Sequence, residues 1–300
     1  MKGSALSLRG IFPPLTTPFA ADGSVDVGAL TVNVKKYNRT GLAGYVVMGS
    51  TGESVFLRES EKVKCWEAVR QAAAPEKILI AGTGCEATNE TIVLTRRAAS
   101  LGYQTALVRT PSYFRSQMTE AAQERHFRAV ADASPIPVLV YSVPQFTGLA
   151  VEAPLVARLA EHPNIIGLKE SSGDERRMEK ILRLVPPEFQ VLVGSALILF
   201  ESLCRGARGG ILAVACALPE LCVKLQAAQA RGDHERARTL QQRLREPTVA
   251  VTSRYGIAGL KYALDLLGYA GGPPRPPLLP LDEAARGELN AIFRAVGASA

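Results

Sequence analysis

The stretch NIIGLKESSGD, residues 164–174, is a short apolar run with a lysine at its end. Ile165 to Leu168 are apolar and partly β-branched, which is typical of a strand, and Lys169 follows at once. The run is continuously hydrophobic and does not alternate with polar residues, as expected of a parallel strand covered on both faces. The sequence therefore places this lysine at the end of a buried strand and not on a solvated helix face.

Seven similar runs recur along the chain at intervals of roughly 25–30 residues, separated by amphipathic stretches such as 58–74 and 120–133. Eight strand–helix units predict an α/β fold, a (β/α)8 TIM barrel, over residues 1–230. Helical patterns after the eighth strand predict an appended C-terminal helical layer over residues 231–300. Between two of these helices, GGPPRPP (271–277) is interpreted as a stiff connecting loop in preference to a polyproline ligand. The predicted strands are IFPPLTTPF (11–19), GYVVMGS (44–50), KILIAGTG (77–84), TALVRTP (105–111), PVLVYSVP (137–144), NIIGLKES (164–171), QVLVGSA (190–196) and GGILAVA (209–215).

The composition is that of a globular chain with a large core, since 47% of the 300 residues are hydrophobic and 21% are charged. The net charge of +7 favours small anionic substrates, but the basic residues form no run, which argues against a nucleic-acid partner. No apolar run approaches the ~20 residues of a membrane span, and MKGSALSLRG (1–10) has no apolar signal core. Five irregularly spaced cysteines fit buried thiols in a reducing compartment. These observations predict a cytoplasmic protein with no membrane partner.

In barrels of this kind the chemistry lies at the carboxyl ends of the strands. Those ends carry Lys169, Tyr141, the GSTGE turn (49–53), the GSA segment (194–196) and Ile211. A lysine at a strand end more often packs its stem at the rim and keeps its head in water. An amine buried against an apolar wall has a lowered pKa, however, and in its neutral form it attacks a ketone to give a Schiff base. Because the neighbouring groups are those that this chemistry needs, the second interpretation is preferred for Lys169.

The other residues of these strand ends have a structural and a functional interpretation each. The GSTGE turn is either an ordinary capping turn or an anion site, in which backbone N–H groups and the hydroxyls of Ser50 and Thr51 hold a carboxylate. Tyr141 is either a packed tyrosine or a proton relay beside the amine. Tyr113 lies in PSYFRSQM (111–118), which is predicted to be a loop that projects away from the barrel and could reach a neighbouring subunit. No metal site is predicted, because the histidines lie far apart in surface or capping contexts: His126, His162 and His234.

Several of these residues stand in motifs that resemble one family along nearly the whole chain. The motifs GIFPPLTTPF (10–19), MGSTGES (48–54), YSVPQFTG (141–148) and GLKESSGD (167–174), in this order, resemble the pyruvate-dependent class I aldolases. That family includes dihydrodipicolinate synthase and N-acetylneuraminate lyase. The resemblance implies a TIM barrel, usually a homotetramer built as a dimer of dimers. It also implies pyruvate and an aldehyde as substrates, bound through a covalent Schiff base without metal or cofactor.

The resemblance also assigns roles to individual side chains. It implies Lys169 as the Schiff-base residue and Tyr141 as the proton relay. Ser50 and Thr51 then hold the pyruvate carboxylate, Thr51 also belongs to the catalytic group, and Tyr113 is donated across the tight dimer. The predicted substrate-binding set is completed by Ser171, Gly194, Ile211 and Ser142.

The second substrate is indicated by departures from the family pattern. Dihydrodipicolinate synthases carry an arginine for the carboxylate of aspartate semialdehyde where this chain has Phe146, which cannot pair with a carboxylate. Four segments resemble 4-hydroxy-2-oxoglutarate aldolase more closely: 79–88, 134–144, 162–174 and 241–278. The favoured reaction is therefore cleavage of 4-hydroxy-2-oxoglutarate to pyruvate and glyoxylate. The ligand of the glyoxylate carboxylate stays open between Ser142, a backbone amide and Arg115.

Three alternatives stay open beside this reaction. The nearest is condensation of pyruvate with aspartate semialdehyde by a 4-hydroxy-tetrahydrodipicolinate synthase. Another is a lyase or dehydratase that acts on a sugar acid. A non-catalytic barrel is disfavoured, because a barrel that had lost its activity would tend to lose the amine, and this chain keeps Lys169 together with its hydroxyl-bearing neighbours.

Overall fold

The computed structural model describes residues 6–297. The expectation for the N-terminal segment falls partly on residues 1–5, which lie outside the described residues, as do residues 298–300. Eight strands are present in the described part: β1 Gly10–Phe12, β2 Gly44–Val47, β3 Ile78–Gly82, β4 Thr105–Arg109, β5 Val138–Ser142, β6 Ile165–Glu170, β7 Gln190–Val193 and β8 Gly209–Ile211.

All strand pairs are parallel, in the order β1-β8-β7-β6-β5-β4-β3-β2. The two ends of this order meet, because Ala43 N donates to the Ile11 carbonyl (3.0 Å) and Val46 N donates to the Pro13 carbonyl (3.0 Å). The sheet thus closes on itself, and the predicted (β/α)8 barrel is confirmed.

The helices follow the strands and bury one apolar stripe each against the barrel. Five helices of the described part begin at a short polar side chain that accepts from the first turn; for example, the Thr119 hydroxyl accepts from Ala122 N, and the Asp174 carboxylate accepts from the N–H groups of Arg176 and Arg177. The helices are α1 Val27–Tyr37, α2 Glu59–Ala72, α3 Thr88–Ser100, α4 Glu120–Ala133, α5 Pro144–Thr147, α6 Ala153–Ala160, α7 Glu175–Leu184, α8 Leu199–Cys204, α9 Pro219–Ala230, α10 His234–Val249, α11 Gly256–Leu266 and α12 Glu283–Ala295.

All eight strands are shorter than the predicted apolar runs, and the difference is largest for β1 and β8. The run at 11–19 is a strand only to Phe12, because Pro13 and Pro14 have no N–H to donate to a ladder. The run at 209–215 leaves the sheet at Ile211 and turns into a 3-10 helix, Ala213–Cys216. The residues after β1 and β8 are apolar because they are buried in the turns that follow, and not because the strands continue.

The core has two parts, separated by the sheet. One lies between the strands and the surrounding helices. The other, here called the inner core, fills the barrel and consists of side chains that point inward from the strands and their flanks: Leu8, Phe12, Val46, Ile80, Leu107, Leu139, Tyr141, Val143, Leu192 and Ile211. The inner core closes the barrel below its mouth, so a ligand at the carboxyl ends of the strands has a solid floor.

Helices α10, α11 and α12 form the appended layer that the sequence predicts. Gln241 of α10 donates to the Ala196 carbonyl (2.6 Å) and accepts from Phe200 N (3.0 Å), which fixes this helix on the barrel. Segment 271–277 is a connecting loop between α11 and α12, and its Arg275 forms two hydrogen bonds with the Glu61 carboxylate (2.7 and 3.0 Å). The domain boundary at residue 230 stays a prediction.

The structure also bears on the predictions for the cysteines and for membrane-spanning segments. Cys65, Cys216 and Cys222 are buried, but Cys85 is half-buried and Cys204 is exposed, so the prediction of buried thiols is wrong for the last of them. Within residues 6–297 no helix has both the length and the apolar character needed to cross a membrane.

Candidate active site

Lys169 lies inside the mouth of the barrel. It is the penultimate residue of β6 and is paired in register with Tyr141 of β5. Only 4% of Lys169 is exposed, and its Nζ lies 4.1 Å from the centroid of the Tyr141 ring. An ammonium group is attracted to such a ring face, and a neutral amine at the same place stands next to a phenol. The structure therefore brings the predicted amine and the predicted phenol together in a buried position.

The hydroxyl of Tyr141 points toward the GSTGE turn. It lies 3.4 Å from Ser50 Oγ, and either oxygen can donate. Ser50–Gly52 form a 3-10 turn in which Gly52 N donates to the Gly49 carbonyl and Glu53 N donates to the Ser50 carbonyl. These two N–H groups are engaged within the turn and are not available to a ligand. Within residues 6–297 the backbone N–H groups of Ser50 and Thr51 form no hydrogen bond, so these groups and the two side-chain hydroxyls are the donors that the turn offers to a carboxylate.

Ser171 follows Lys169 at the same side of the strand end, because side chains two residues apart along a strand point the same way. Its Oγ is buried and has no hydrogen-bond partner among the described residues. The hydroxyl packs on Gly194, where a Cβ would overlap it. A buried hydroxyl without a partner loses hydrogen-bond free energy unless a ligand or water completes it. Ser171 and Gly194 thus form a polar niche beside the amine, while Ile211 belongs to the floor beneath it.

Ser142 and Tyr113 do not join this group within one chain. Ser142 follows Tyr141 in the strand and faces the opposite side, where its hydroxyl accepts from Val151 N (3.4 Å). This position removes Ser142 from the substrate-binding set, because strand alternation cannot place both neighbours in the mouth. Tyr113 is 81% exposed in the loop after β4 and packs edge-on against Phe114.

Glu170 also faces away from the mouth. Its carboxylate is fully buried, lies 3.1 Å from Nε of Arg177 and accepts from Ser172 N (2.7 Å). These contacts hold Glu170 on the opposite side of the strand from Lys169, as the alternation of neighbouring strand residues requires. Its charge stabilises the loop after β6 and does not act in the cavity.

Two charged residues near the mouth were missed by the sequence analysis. Glu53, the last residue of the GSTGE turn, has φ 56° and forms an ion pair with Lys261 of α11 (2.6 Å). Arg109, the last residue of β4, lines a cavity together with Ser50 and Tyr141. The ionisable residue inside an otherwise apolar strand pattern was the available signal for Arg109, by the same logic that singled out Lys169.

No cluster of three metal-ligating side chains occurs in the part of the chain that the structure describes. The histidines are dispersed, but His126 is buried on α4 and its Nδ1 lies 3.0 Å from the Thr88 hydroxyl, so the expected surface position is wrong for this residue. Burial lowers the pKa of His126 to about 4.

The fold and the residues at its mouth define the class of protein, a (β/α)8-barrel lyase. The profile of the "Dihydrodipicolinate synthetase family" matches residues 7–296. The chain belongs to this family.

Two relatives of similar identity to this chain are named for different activities. The chain is 37% identical to 4-hydroxy-tetrahydrodipicolinate synthase of Methanothrix thermoacetophila over 286 residues, which cover 95% of this chain and 96% of the relative. It is 36% identical to the probable mitochondrial 4-hydroxy-2-oxoglutarate aldolase of Emericella nidulans over 283 residues, which cover 92% of this chain and 91% of the relative. Overall identity therefore does not separate the two activities.

Solved structures agree with the fold in detail. The chloride-inhibited dihydrodipicolinate synthase of Acinetobacter baumannii, complexed with pyruvate, superposes with a TM-score of 0.93 at 29% identity. The match covers 97% of this chain and all of that one (100%). Family and fold together make this chain a pyruvate-dependent class I aldolase in the broad sense.

Proposed function

We propose that this enzyme cleaves 4-hydroxy-2-oxoglutarate to pyruvate and glyoxylate through a Schiff base on Lys169. The observation that carries the proposal is the buried Nζ of Lys169 at 4.1 Å from the ring of Tyr141, whose hydroxyl in turn lies 3.4 Å from Ser50 Oγ. A nucleophile, an acid–base group and a hydroxyl-bearing anion site are thus contiguous. The relative from Emericella nidulans, named for this activity, supports the choice of substrate.

The reaction follows from the placement of these groups. The Lys169 amine attacks the C2 ketone while the hydroxyls of Ser50 and Thr51 hold the C1 carboxylate. The Tyr141 phenol donates a proton to the departing hydroxyl of the carbinolamine, water leaves and an iminium forms. The electron pair of the C3–C4 bond then moves into the iminium as the C4 hydroxyl loses its proton, and glyoxylate is released. The enamine that remains is protonated at C3 and hydrolysed, which gives pyruvate and the free lysine.

The niche of Ser171 and Gly194 supports the same assignment. A 2-oxo acid bound through C2 to Lys169 brings oxygen atoms next to a buried Ser171 Oγ that has no partner among the described residues. The absence of a Cβ at Gly194 leaves room for that hydroxyl. Substrate binding then supplies the hydrogen bond that the folded chain alone does not provide.

The proposed assembly is a homotetramer, a dimer of dimers in which Tyr113 enters the neighbouring subunit's mouth. Its support is the exposure of Tyr113 (81%) together with Phe114 (68%) on a loop beside the barrel mouth. Apolar rings so exposed are typical of an interface. Sedimentation at working concentrations measures the assembly directly, and a monomer would contradict it.

Trapping with borohydride tests the Schiff base. Pyruvate and borohydride together should leave a stable adduct on the peptide that contains Lys169, found by mass analysis, and Lys169→Ala should abolish it. An unmodified Lys169 in the wild type overturns the mechanism. Glyoxylate release from 4-hydroxy-2-oxoglutarate then tests the substrate, and coupled reduction of the cyclic product of pyruvate and aspartate semialdehyde tests the rival synthase. Activity in the second assay alone would replace the proposed substrate.

A further inference from the structure

Arg109 occupies an inward position at the end of β4. It is paired in register with Tyr141, and Leu107, two residues earlier, belongs to the inner core. Because strand side chains alternate, Arg109 shares the inward direction of Leu107, one layer higher, at the mouth. Its side chain is 18% exposed and lines a small cavity that also includes Ser50 and Tyr141. A guanidinium therefore lies beside Tyr141 and the GSTGE turn.

The guanidinium is only partly engaged. Its Nη1 donates to Glu86 Oε1 (2.7 Å) and to the Thr110 carbonyl (3.3 Å). Within residues 6–297, Nε and Nη2 of Arg109 make no hydrogen bond to a protein acceptor. One edge of the guanidinium is held in place by Nη1, and the edge formed by Nε and Nη2 is available to a ligand. This arrangement fits a carboxylate, which accepts two parallel hydrogen bonds from one edge of an arginine.

Glu86 holds Arg109 in place but does not neutralise it fully, because the negative charge of Glu86 is shared with other donors. Its Oε2 accepts from Ser112 N (2.7 Å) and from Tyr113 N (2.9 Å) at the loop after β4. Burial raises the pKa of Glu86, but these N–H groups and Arg109 outweigh that effect and hold the pKa below its usual value. The carboxylate is thus ionised at neutral pH and accepts from four donors, including the Ser112 hydroxyl (3.4 Å). Arg109 is oriented by Glu86 and still carries charge for a ligand.

The position where the synthases place an arginine carries no charge in this chain. Phe146 is there, on the short helix α5, and 67% of it is exposed. A carboxylate at the distal end of the substrate needs another partner, since an unpaired buried charge is unfavourable. Arg115, considered from the sequence, is exposed on the loop after β4, whereas Arg109 lines the cavity beside Tyr141.

We propose that Arg109 binds the carboxylate of the aldehyde partner, so that the enzyme selects aldehydes that carry a carboxylate next to the reacting carbonyl. The inference rests on the proposed aldolase function and names the group that gives it specificity. Pyruvate is held by Lys169 and the GSTGE turn, and the second carboxylate is held at the end of β4. Arg109 therefore acts as a specificity-determining residue on the opposite side of Tyr141 from the amine's own strand.

The test compares two aldehydes in the condensation direction with pyruvate. Glyoxylate carries the carboxylate, and glycolaldehyde has a hydroxymethyl group in its place. Arg109→Met should lower kcat/KM for glyoxylate by about 10- to 100-fold, the worth of a hydrogen bond to a charged group, and change that for glycolaldehyde by less than about threefold. Arg109→Lys keeps the positive charge but cannot donate two parallel hydrogen bonds, so its kcat/KM for glyoxylate should lie between those of the wild type and Arg109→Met. Arg97→Met, which removes a surface arginine paired with Glu67, controls for the loss of one positive charge and should behave as wild type.

Trapping separates this inference from the function on which it rests. Arg109→Met should still form the borohydride adduct with pyruvate on Lys169 as fast as the wild type. Absence of the adduct in the wild type would refute the aldolase itself. An intact adduct combined with equal losses for both aldehydes, or with unchanged kcat/KM for glyoxylate, overturns the role of Arg109 alone. A selective loss in Arg115→Met, with Arg109→Met unaffected, would also overturn it and transfer the carboxylate to Arg115.

Discussion

Replacing Lys261 with methionine removes one half of an ion pair buried behind the GSTGE turn. Lys261 Nζ lies 2.6 Å from Glu53 Oε1, and both side chains are 1% exposed. The same Nζ donates to the Pro273 carbonyl (2.8 Å) and lies 4.3 Å from the centroid of the Phe19 ring. The other oxygen of Glu53 accepts from Arg275 N (2.8 Å). Methionine fills a similar volume but leaves the Glu53 charge without its cation.

The expected loss is large for a single substitution. Breaking a buried pair by removing one partner destabilises a protein by about 3–5 kcal/mol, because a buried charge is left uncompensated. With an unfolding entropy of ~2.1 cal/mol/K per residue, the 300-residue chain should melt about 5–8 °C lower. The turn that carries Ser50 and Thr51 ends at Glu53, so the KM for pyruvate should rise as well. Thermal unfolding followed by circular dichroism, with steady-state kinetics on the same samples, measures both effects.

A double variant isolates the cause. Glu53→Gln combined with Lys261→Met leaves no buried charge, so most of the lost stability should return, to within about 1–2 kcal/mol of the wild type. Arg254→Met provides the control, since its ion pairs with Glu246 and Glu288 are at the surface and should contribute about 1 kcal/mol or less each. A Lys261→Met protein that melts within 1–2 °C of the wild type would refute the reasoning, because the pair would then not hold α11 to the turn.

The remaining predictions concern the mouth and its surroundings. Tyr141→Phe should keep pyruvate trapping on Lys169 but slow turnover by about 10²-fold or more, and wild-type-like turnover would exclude the phenol as relay. Gly194→Ala should weaken pyruvate binding and lower the melting temperature, because the new methyl overlaps Ser171 Oγ; unchanged KM would show that the niche is unused. The protein should lose stability in acid because of His126, whose pKa is about 4 in the folded protein and ordinarily 6.5. The unfolded chain therefore binds a proton at His126 at a higher pH than the folded protein does. The free energy of unfolding should be highest above pH 6.5 and should fall by up to about 3 kcal/mol as the pH decreases to 4. In His126→Gln, urea unfolding between pH 7.5 and 4.5 should depend less on pH, and an equal pH dependence would contradict this.

The sequence predicted those site residues whose position depends on a strand and its direction. Lys169 and Tyr141 come from neighbouring strands, and parallel pairing brings the ends of such strands together whatever the helices do. The same rule should have excluded Ser142, since adjacent residues of a strand face opposite sides and Tyr141 already faces the mouth. The end of β1 could also have been predicted from the sequence, because Pro13 directly follows Phe12 and has no N–H to continue the strand pairing.

Glu53 and Arg109 show what a single sequence leaves open. Glu53 ends the GSTGE turn and Arg109 ends β4, and each depends on a partner from a different part of the chain, Lys261 or Glu86. Hydrophobic periodicity locates helices and strands but carries no information about which charge a buried carboxylate or guanidinium will meet. Burying a charge is unfavourable without such a partner, so an ionisable residue at the end of an apolar strand or a turn predicts a second charge nearby before its identity is known. At Arg109 the second charge is Glu86, which pairs with one edge of the guanidinium, and the proposed partner of the other edge is a substrate carboxylate.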